Sequence, residues 1–152
     1  KPGVVETVLE IPAVTPGMRL PLAEIGYDYT VEFDVEGAPE EKGTVLFESP
    51  NATFWLSDPV EGNVAFSRES DLNSFRYNVL PGEKIHVKVT GNNETTRLYV
   101  NGKLIDDLNV LWLSYNNKNK IARVRTLVFP LDKAGRFNSK VSNLRVVNAF
   151  EQ

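Results

Sequence analysis

Hydrophobic and polar positions alternate with a period of two along most of the chain. In 85–90, Ile85, Val87 and Val89 alternate with His86, Lys88 and Thr90; in 31–36, Val31, Phe33 and Val35 alternate with Glu32, Asp34 and Glu36. Successive side chains of an extended strand point to opposite faces, so such runs read as half-buried strands. The same reading predicts strands over 4–11, 28–36, 43–49, 53–57, 63–68, 74–79, 84–91, 96–102, 103–108, 122–129 and 140–150. Turn signals separate them: Pro-Gly at 16–17 and 81–82, and polar, glycine-containing stretches at 58–63, 91–95 and 133–136. Asn101-Gly102, set between two alternating runs, predicts a two-residue hairpin turn of type I′, in which both central residues need φ > 0. No stretch supports a helix of ten residues or more; 131–137 holds at most one short turn. Many short strands with turns between them predict an all-β fold, a sandwich or a barrel.

The outward positions fall into two kinds. The strands at 31–36 and 85–90 turn a strongly charged face to solvent. A second group does not. There Phe54, Leu56, Val64, Phe66, Phe75, Tyr77 and Val79 point in, which leaves Trp55, Ser67, Arg68, Arg76 and Asn78 on the outside. An aromatic plane beside forked and amide donors is the composition of a sugar-binding surface, because an indole takes the apolar face of a ring while the donors take its hydroxyls. These five residues are the candidate carbohydrate-binding site.

Composition narrows the alternatives. At 152 residues the chain suffices for one domain with a real core. A net charge of −3 argues against a nucleic-acid surface, which needs a basic stripe; the one basic cluster is 118–126. No apolar run reaches the ~20 residues of a membrane-spanning helix. Cysteine is absent, which excludes disulfides, thiolate metal sites and a cysteine nucleophile. Two glycosylation triplets occur, at Asn51 and Asn93. The chain begins at Lys1 without Met, as expected of an excised domain or processed product.

Three segments resemble a known family. "EKIHVKVTGNNETTRLYVNGKLID" (83–106) resembles the central strands of laminin-G-like, concanavalin A-like jelly-roll domains, where a "W-x-HVA" strand leads into "LYVNGK". "RFNSKVSNLRVVNAF" (136–150) resembles that family's closing strand, and "YTVEFDV" (29–35) an early one. Ile85 stands where many relatives carry Trp, and Val147 where Tyr is common. The spacing from "GTVLFES" at 43 to "KIHVKV" at 84 is more specifically similar to the C-terminal jelly roll of bacterial family-20 glycoside hydrolases, the β-N-acetylhexosaminidases. The resemblance implies a non-catalytic accessory domain behind a catalytic (β/α)₈ barrel. A barrel needs about 250 residues, so it is not within this chain.

Other residues invite chemistry. Glu32, Asp34 and Glu36 share one strand face, and a small glycanase could use such carboxylates to flank a glycosidic bond. The simpler reading is a charged face on a half-buried strand. His86, the sole histidine, lies on the polar side of its strand, and no serine and carboxylate can be placed beside it as a triad. Asp106 and Asp107 point to opposite faces, so they form no acid–base pair. Loops 57–63 and 69–74 could supply oxygen ligands to calcium, although neither has EF-hand spacing. Trp112, in an apolar run at 109–115, reads as core or as a domain interface.

With the resemblance, the expectation is a single antiparallel β-sandwich domain, 1–152, a concanavalin A-like jelly roll with its N- and C-terminal strands adjacent and with no catalytic residue and no cofactor of its own. It is expected to be an accessory module of an exported bacterial glycoside hydrolase that contacts glycan, the parent's catalytic domain, or both. A purely structural module packed on the barrel is the alternative of a different class.

Overall fold

In a computed structural model the described residues are 7–20, 28–50, 52–68, 71–92, 95–109 and 132–151. Among the described residues eleven strands are formed: β1 Thr7–Val14, β2 Tyr29–Glu36, β3 Thr44–Ser49, β4 Ala52–Ser57, β5 Ala65–Arg68, β6 Asp71–Ser74, β7 Lys84–Gly91, β8 Thr95–Val100, β9 Lys103–Asn109, β10 Lys133–Ala134 and β11 Lys140–Val147. They make a six-stranded sheet, β1-β11-β2-β7-β8-β9, and a five-stranded sheet, β10-β3-β4-β5-β6. Every pairing between these strands is antiparallel. The expected all-β sandwich is what forms, and its first and last strands pair, Ile11 opposite Leu144.

Period-two alternation decides what lies between the sheets. Tyr29, Val31, Phe33 and Val35 of β2 and Ile85, Val87 and Val89 of β7 are buried, as are Leu46, Phe47, Phe54, Leu56 and Phe66 of the facing sheet. Aromatic rings interlock the layers. Phe33 stands edge-on to Phe47 and to Phe54, each with ring centroids 5.7 Å apart. Tyr29 meets Phe66 in the same way at 5.9 Å. Edge-to-face pairs add to the energy of burial and lock relative position.

Three expectations needed revision. The segment 69–74, read as a loop, contains strand β6. The strand read at 74–79 is not one: β6 ends at Ser74, and Phe75, Val64 and Tyr77 exchange irregular backbone bonds instead. The backbone N–H of Arg76 donates to the Asp106 carboxylate (3.0 Å), so no ladder can continue there. Phe75 and Val79 are nevertheless buried, as their period-two spacing indicates. Lys133–Ala134, read as a turn, is a two-residue strand against β3. The strand expected at 122–129, the basic cluster and Trp112 lie outside the described residues, as do both glycosylation triplets' asparagines.

The β8–β9 hairpin turns on Asn101 (φ 53°) and Gly102 (φ 82°), the two left-handed residues of a type I′ turn. A Cβ at Gly102 would meet nothing within 4 Å, so conformation alone sets the cost of a side chain there. Gly102→Val should destabilise the fold by about 1–3 kcal/mol, read as a lowered denaturant midpoint; an unchanged midpoint would refute this turn assignment. Phe54→Ala, which empties the ring cluster, should cost more, about 3–5 kcal/mol in the same assay.

Candidate functional site

The outer face of the six-stranded sheet carries an ordered row of charge. Register places Glu10 of β1 opposite Arg145 of β11, Arg145 opposite Glu32 of β2, and Glu32 opposite Lys88 of β7. One pleat along, Ser142, Asp34 and His86 stand opposite one another. The apolar residues of these strands are held inside, so the polar ones have no choice but this face.

His86 is the hinge of the cluster. Its Nε2 lies 2.7 Å from Glu32 Oε1 and its Nδ1 2.7 Å from Asp34 Oδ1. Ionised carboxylates only accept, so when both bonds are made to ionised carboxylates both ring nitrogens donate and the bridging form is the imidazolium. Glu32 is bonded through its other oxygen by Arg145, and Asp34 Oδ2 accepts from Asn143 Nδ2 at 2.8 Å. Arg145 also forks onto Glu151, with Nη1 at 3.0 Å and Nη2 at 3.1 Å from its two oxygens. Asn143 reaches Asp34 because β11 bulges between Ser142 and Arg145, with Asn143 at φ 54°. Bulges re-aim side chains in this way, and asparagine tolerates the left-handed region better than most residues. The segment after β11 is fastened across the same face: Thr30 Oγ1 donates to Ala149 O (2.7 Å), and Glu151 N donates to the Thr30 and Thr90 hydroxyls.

Beside the network lies an open groove of about 550 Å³, walled by Glu10, Pro12, Glu32, His86, Asn143 and Arg145. Its size falls in the range of small-molecule sites, and convergent polar groups are what fixes a ligand's orientation in them.

Electrostatics follow from the contacts. Burial opposes charge on His86, but hydrogen bonds to Asp34 and Glu32, with their negative charges, outweigh it and raise its pKa. Burial likewise opposes charge on Glu32, and hydrogen bonds from His86 and Arg145 reverse that and hold it low. Asp34 is lowered against its own desolvation by Asn143 and His86. A glycosidase acid must keep its proton, so its pKa has to be raised. Glu32 and Asp34 are pushed the other way, which suits acceptors in the network and not the acid of such a pair.

The residues proposed from the sequence are placed differently. Trp55 and Ser67 face outward from β4 and β5, each half-buried. The indole nitrogen of Trp55 is buried with no hydrogen-bond partner among the described residues. The side chain of Arg68 lies outside the described residues. Arg76 is exposed, and its guanidinium grips buried Asp106 of the opposite sheet through Nη2 (2.6 Å) and Nε (3.2 Å). Asn78 donates to Gly62 O (2.8 Å) and Asn63 Oδ1 (2.7 Å). Arg76 and Asn78 thus each have donors engaged within the protein, while the Arg76 side chain stays largely exposed and keeps further N–H groups toward solvent.

The two segments weighed for calcium do meet, loop 58–63 with the end of strand β6. Buried Asp58 accepts from the N–H groups of Val60 and Glu61 at 2.8 and 2.7 Å and from the Ser74 hydroxyl at 2.8 Å. Donors surround that carboxylate, and its job is to fold loop 58–63 as an Asx turn.

The sequence marks Glu32 as a glycanase carboxylate or a charged strand face and His86 as a surface residue, and it does not single out Asn143 or Arg145. Each strand shows its own alternation, but not which strand lies beside it or in what register. One local signal existed: Asn143-Leu144-Arg145 falls within the segment that resembles a jelly-roll closing strand.

No protein-family model matches the chain, and no curated protein matches it. Solved structures do. Domain 4 of AbnA, an extracellular GH43 arabinanase from Geobacillus stearothermophilus solved with arabinotriose, aligns with 100% of this chain and 79% of its own, at 17% identity and a TM-score of 0.67. Galectin LEC-6 of Caenorhabditis elegans aligns over 90% of this chain and 94% of its own, at 11% identity and a TM-score of 0.52. A Trypanosoma rangeli sialidase matches 96% of this chain with 26% of its own, at 15% identity and a TM-score of 0.54. The chain has a concanavalin A-like, galectin-like β-sandwich fold.

A lone histidine makes the network directly readable. His86 should titrate above the ordinary imidazole value by NMR, and Asp34→Asn should bring it down. The sign for stability follows. His86's contribution is full below its unfolded pKa and is lost as pH rises through the raised folded value. Glu32 and Asp34 contribute above their unfolded values and lose it as pH falls through their lowered ones. The network should be firmest in the window between these limits. An His86 that titrates at or below the free-imidazole value would refute the double bridge.

Proposed function

We propose that this chain is a carbohydrate-binding accessory module of an exported glycoside hydrolase, and that its glycan site is the groove beside His86 and Arg145. The observation that carries the reading is the closed network itself. Carboxylate, guanidinium, imidazole and amide groups are held in place by one another before any ligand arrives, at the wall of a groove. Sugar hydroxyls donate and accept at similar spacing, and pre-ordered partners spare the entropy of arranging them on binding. Support from outside is the fold, shared with a domain of an arabinanase solved with arabinotriose and with a galectin. A narrower form of the proposal, that the parent is a β-N-acetylhexosaminidase, rests on the sequence resemblance of 43–89 alone.

Shallow polar sites exchange water hydrogen bonds for protein ones, so the net gain is small. A dissociation constant of about 0.1–10 mM, about −3 to −5 kcal/mol, is expected. Isotope-labelled protein titrated with arabino- and N-acetylglucosamine oligosaccharides should show shifts in β1, β2, β7 and β11, and Glu32→Gln should weaken them by about tenfold or more. Shifts confined to β4 and β5 would move the site to Trp55. No shift with any glycan would leave a purely structural module.

A further inference from the structure

A second, smaller cavity of about 210 Å³ opens on the same sheet face, between Ala13 and Ser142 on one side and Lys84 on the other. Pro12 lines both cavities, so they adjoin. The displacement between them runs along the strands. Asp34 replaces Glu32 two residues on along β2, and Lys84 replaces His86 on β7, a step of about 7 Å. At that volume the smaller cavity falls below the ~300 Å³ from which self-sufficient ligand sites begin. It can extend a neighbour's site but not make one.

Its chemistry continues that of the groove without repeating it. Lys140, Glu36 and Lys84 stand opposite one another in register, and Ser142 stands opposite Asp34. Two ammonium groups are thus matched by two carboxylates, Glu36 and Asp34. The larger groove shows the same balance, Arg145 and His86 against Glu10 and Glu32. Such a surface offers many donors and acceptors and little net charge. An anionic or cationic sugar gains nothing there over a neutral one, whereas a ring of uncharged hydroxyls can meet both signs.

We infer that the two cavities form one cleft that takes a neutral oligosaccharide lengthwise along the strands, one ring beside His86 and Arg145 and the next between Lys84 and Lys140. This rests on the proposal that the module binds glycan, and it adds the ligand's length, direction and charge.

The test uses the whole chain and two ladders of defined probes: arabinose, arabinobiose and arabinotriose, and N-acetylglucosamine with its di- and trisaccharide. In at least one ladder, affinity by NMR titration should rise about tenfold from one ring to three, and should not change with added salt. Ala13→Trp puts an indole into the smaller cavity from an exposed edge-strand position. It should reduce trisaccharide affinity to that of the monosaccharide while leaving monosaccharide affinity intact. Lys140→Ala, with an unchanged amide spectrum elsewhere, should lower trisaccharide affinity alone. Equal affinity at every length, or an Ala13→Trp protein that binds the trisaccharide normally, would overturn the cleft and leave a one-ring site in place. Absence of binding by either ladder would overturn both the cleft and the glycan-binding reading.

Discussion

Phe33 is the residue on which the molecule turns. It is fully buried, edge-on to Phe47 and Phe54 from the opposite sheet. That contact fixes which face of β2 looks inward, and β2 is central, with β11 on one side and β7 on the other. A slip of one residue would put carboxylates among phenyl rings and expose the rings to water. The register of β2 is therefore over-determined, and its neighbours inherit it.

The outer face is the other half of the same constraint. Because Val31, Phe33 and Val35 are held in, Thr30, Glu32 and Asp34 are held out, each opposite a particular residue of β7 and β11. Thr30 is covered by the segment after β11 and bonds to it; Glu32 and Asp34 take His86 between them. Like charges two residues apart on a strand would repel. An imidazolium bridging them, with Arg145 and Asn143 behind, turns that repulsion into a rigid polar wall.

Cross-sheet polar ties complete the sandwich at its far edge. Asp106 is buried on β9, yet it collects the guanidinium and the backbone N–H of Arg76, which follows the last strand of the other sheet. Asp58 does similar work within its loop, drawing Ser74 toward Val60 and Glu61. These acids look available in sequence, but buried carboxylates need several donors, and here the protein supplies them.

Local rules sufficed for much of this. Alternation named the inward residues of β2, β4 and β7, and Asn101-Gly102 named its own turn, because both depend on neighbours in the chain. The same rules read a strand through Arg76, since nothing nearby in sequence announces that Asp106, thirty positions away, will take its N–H. They also sent attention to Trp55 and its companions, chosen by residue type, while Arg76 and Asn78 turn out to be engaged by partners from elsewhere in the fold. The bridge from Glu32 through His86 to Asp34 spans more than fifty residues of chain. The sequence by itself determined the strands, their faces and one hairpin. Only the tertiary structure decided which charged faces lie side by side, because strand order and register are set by packing between sheets, and no single strand carries that information.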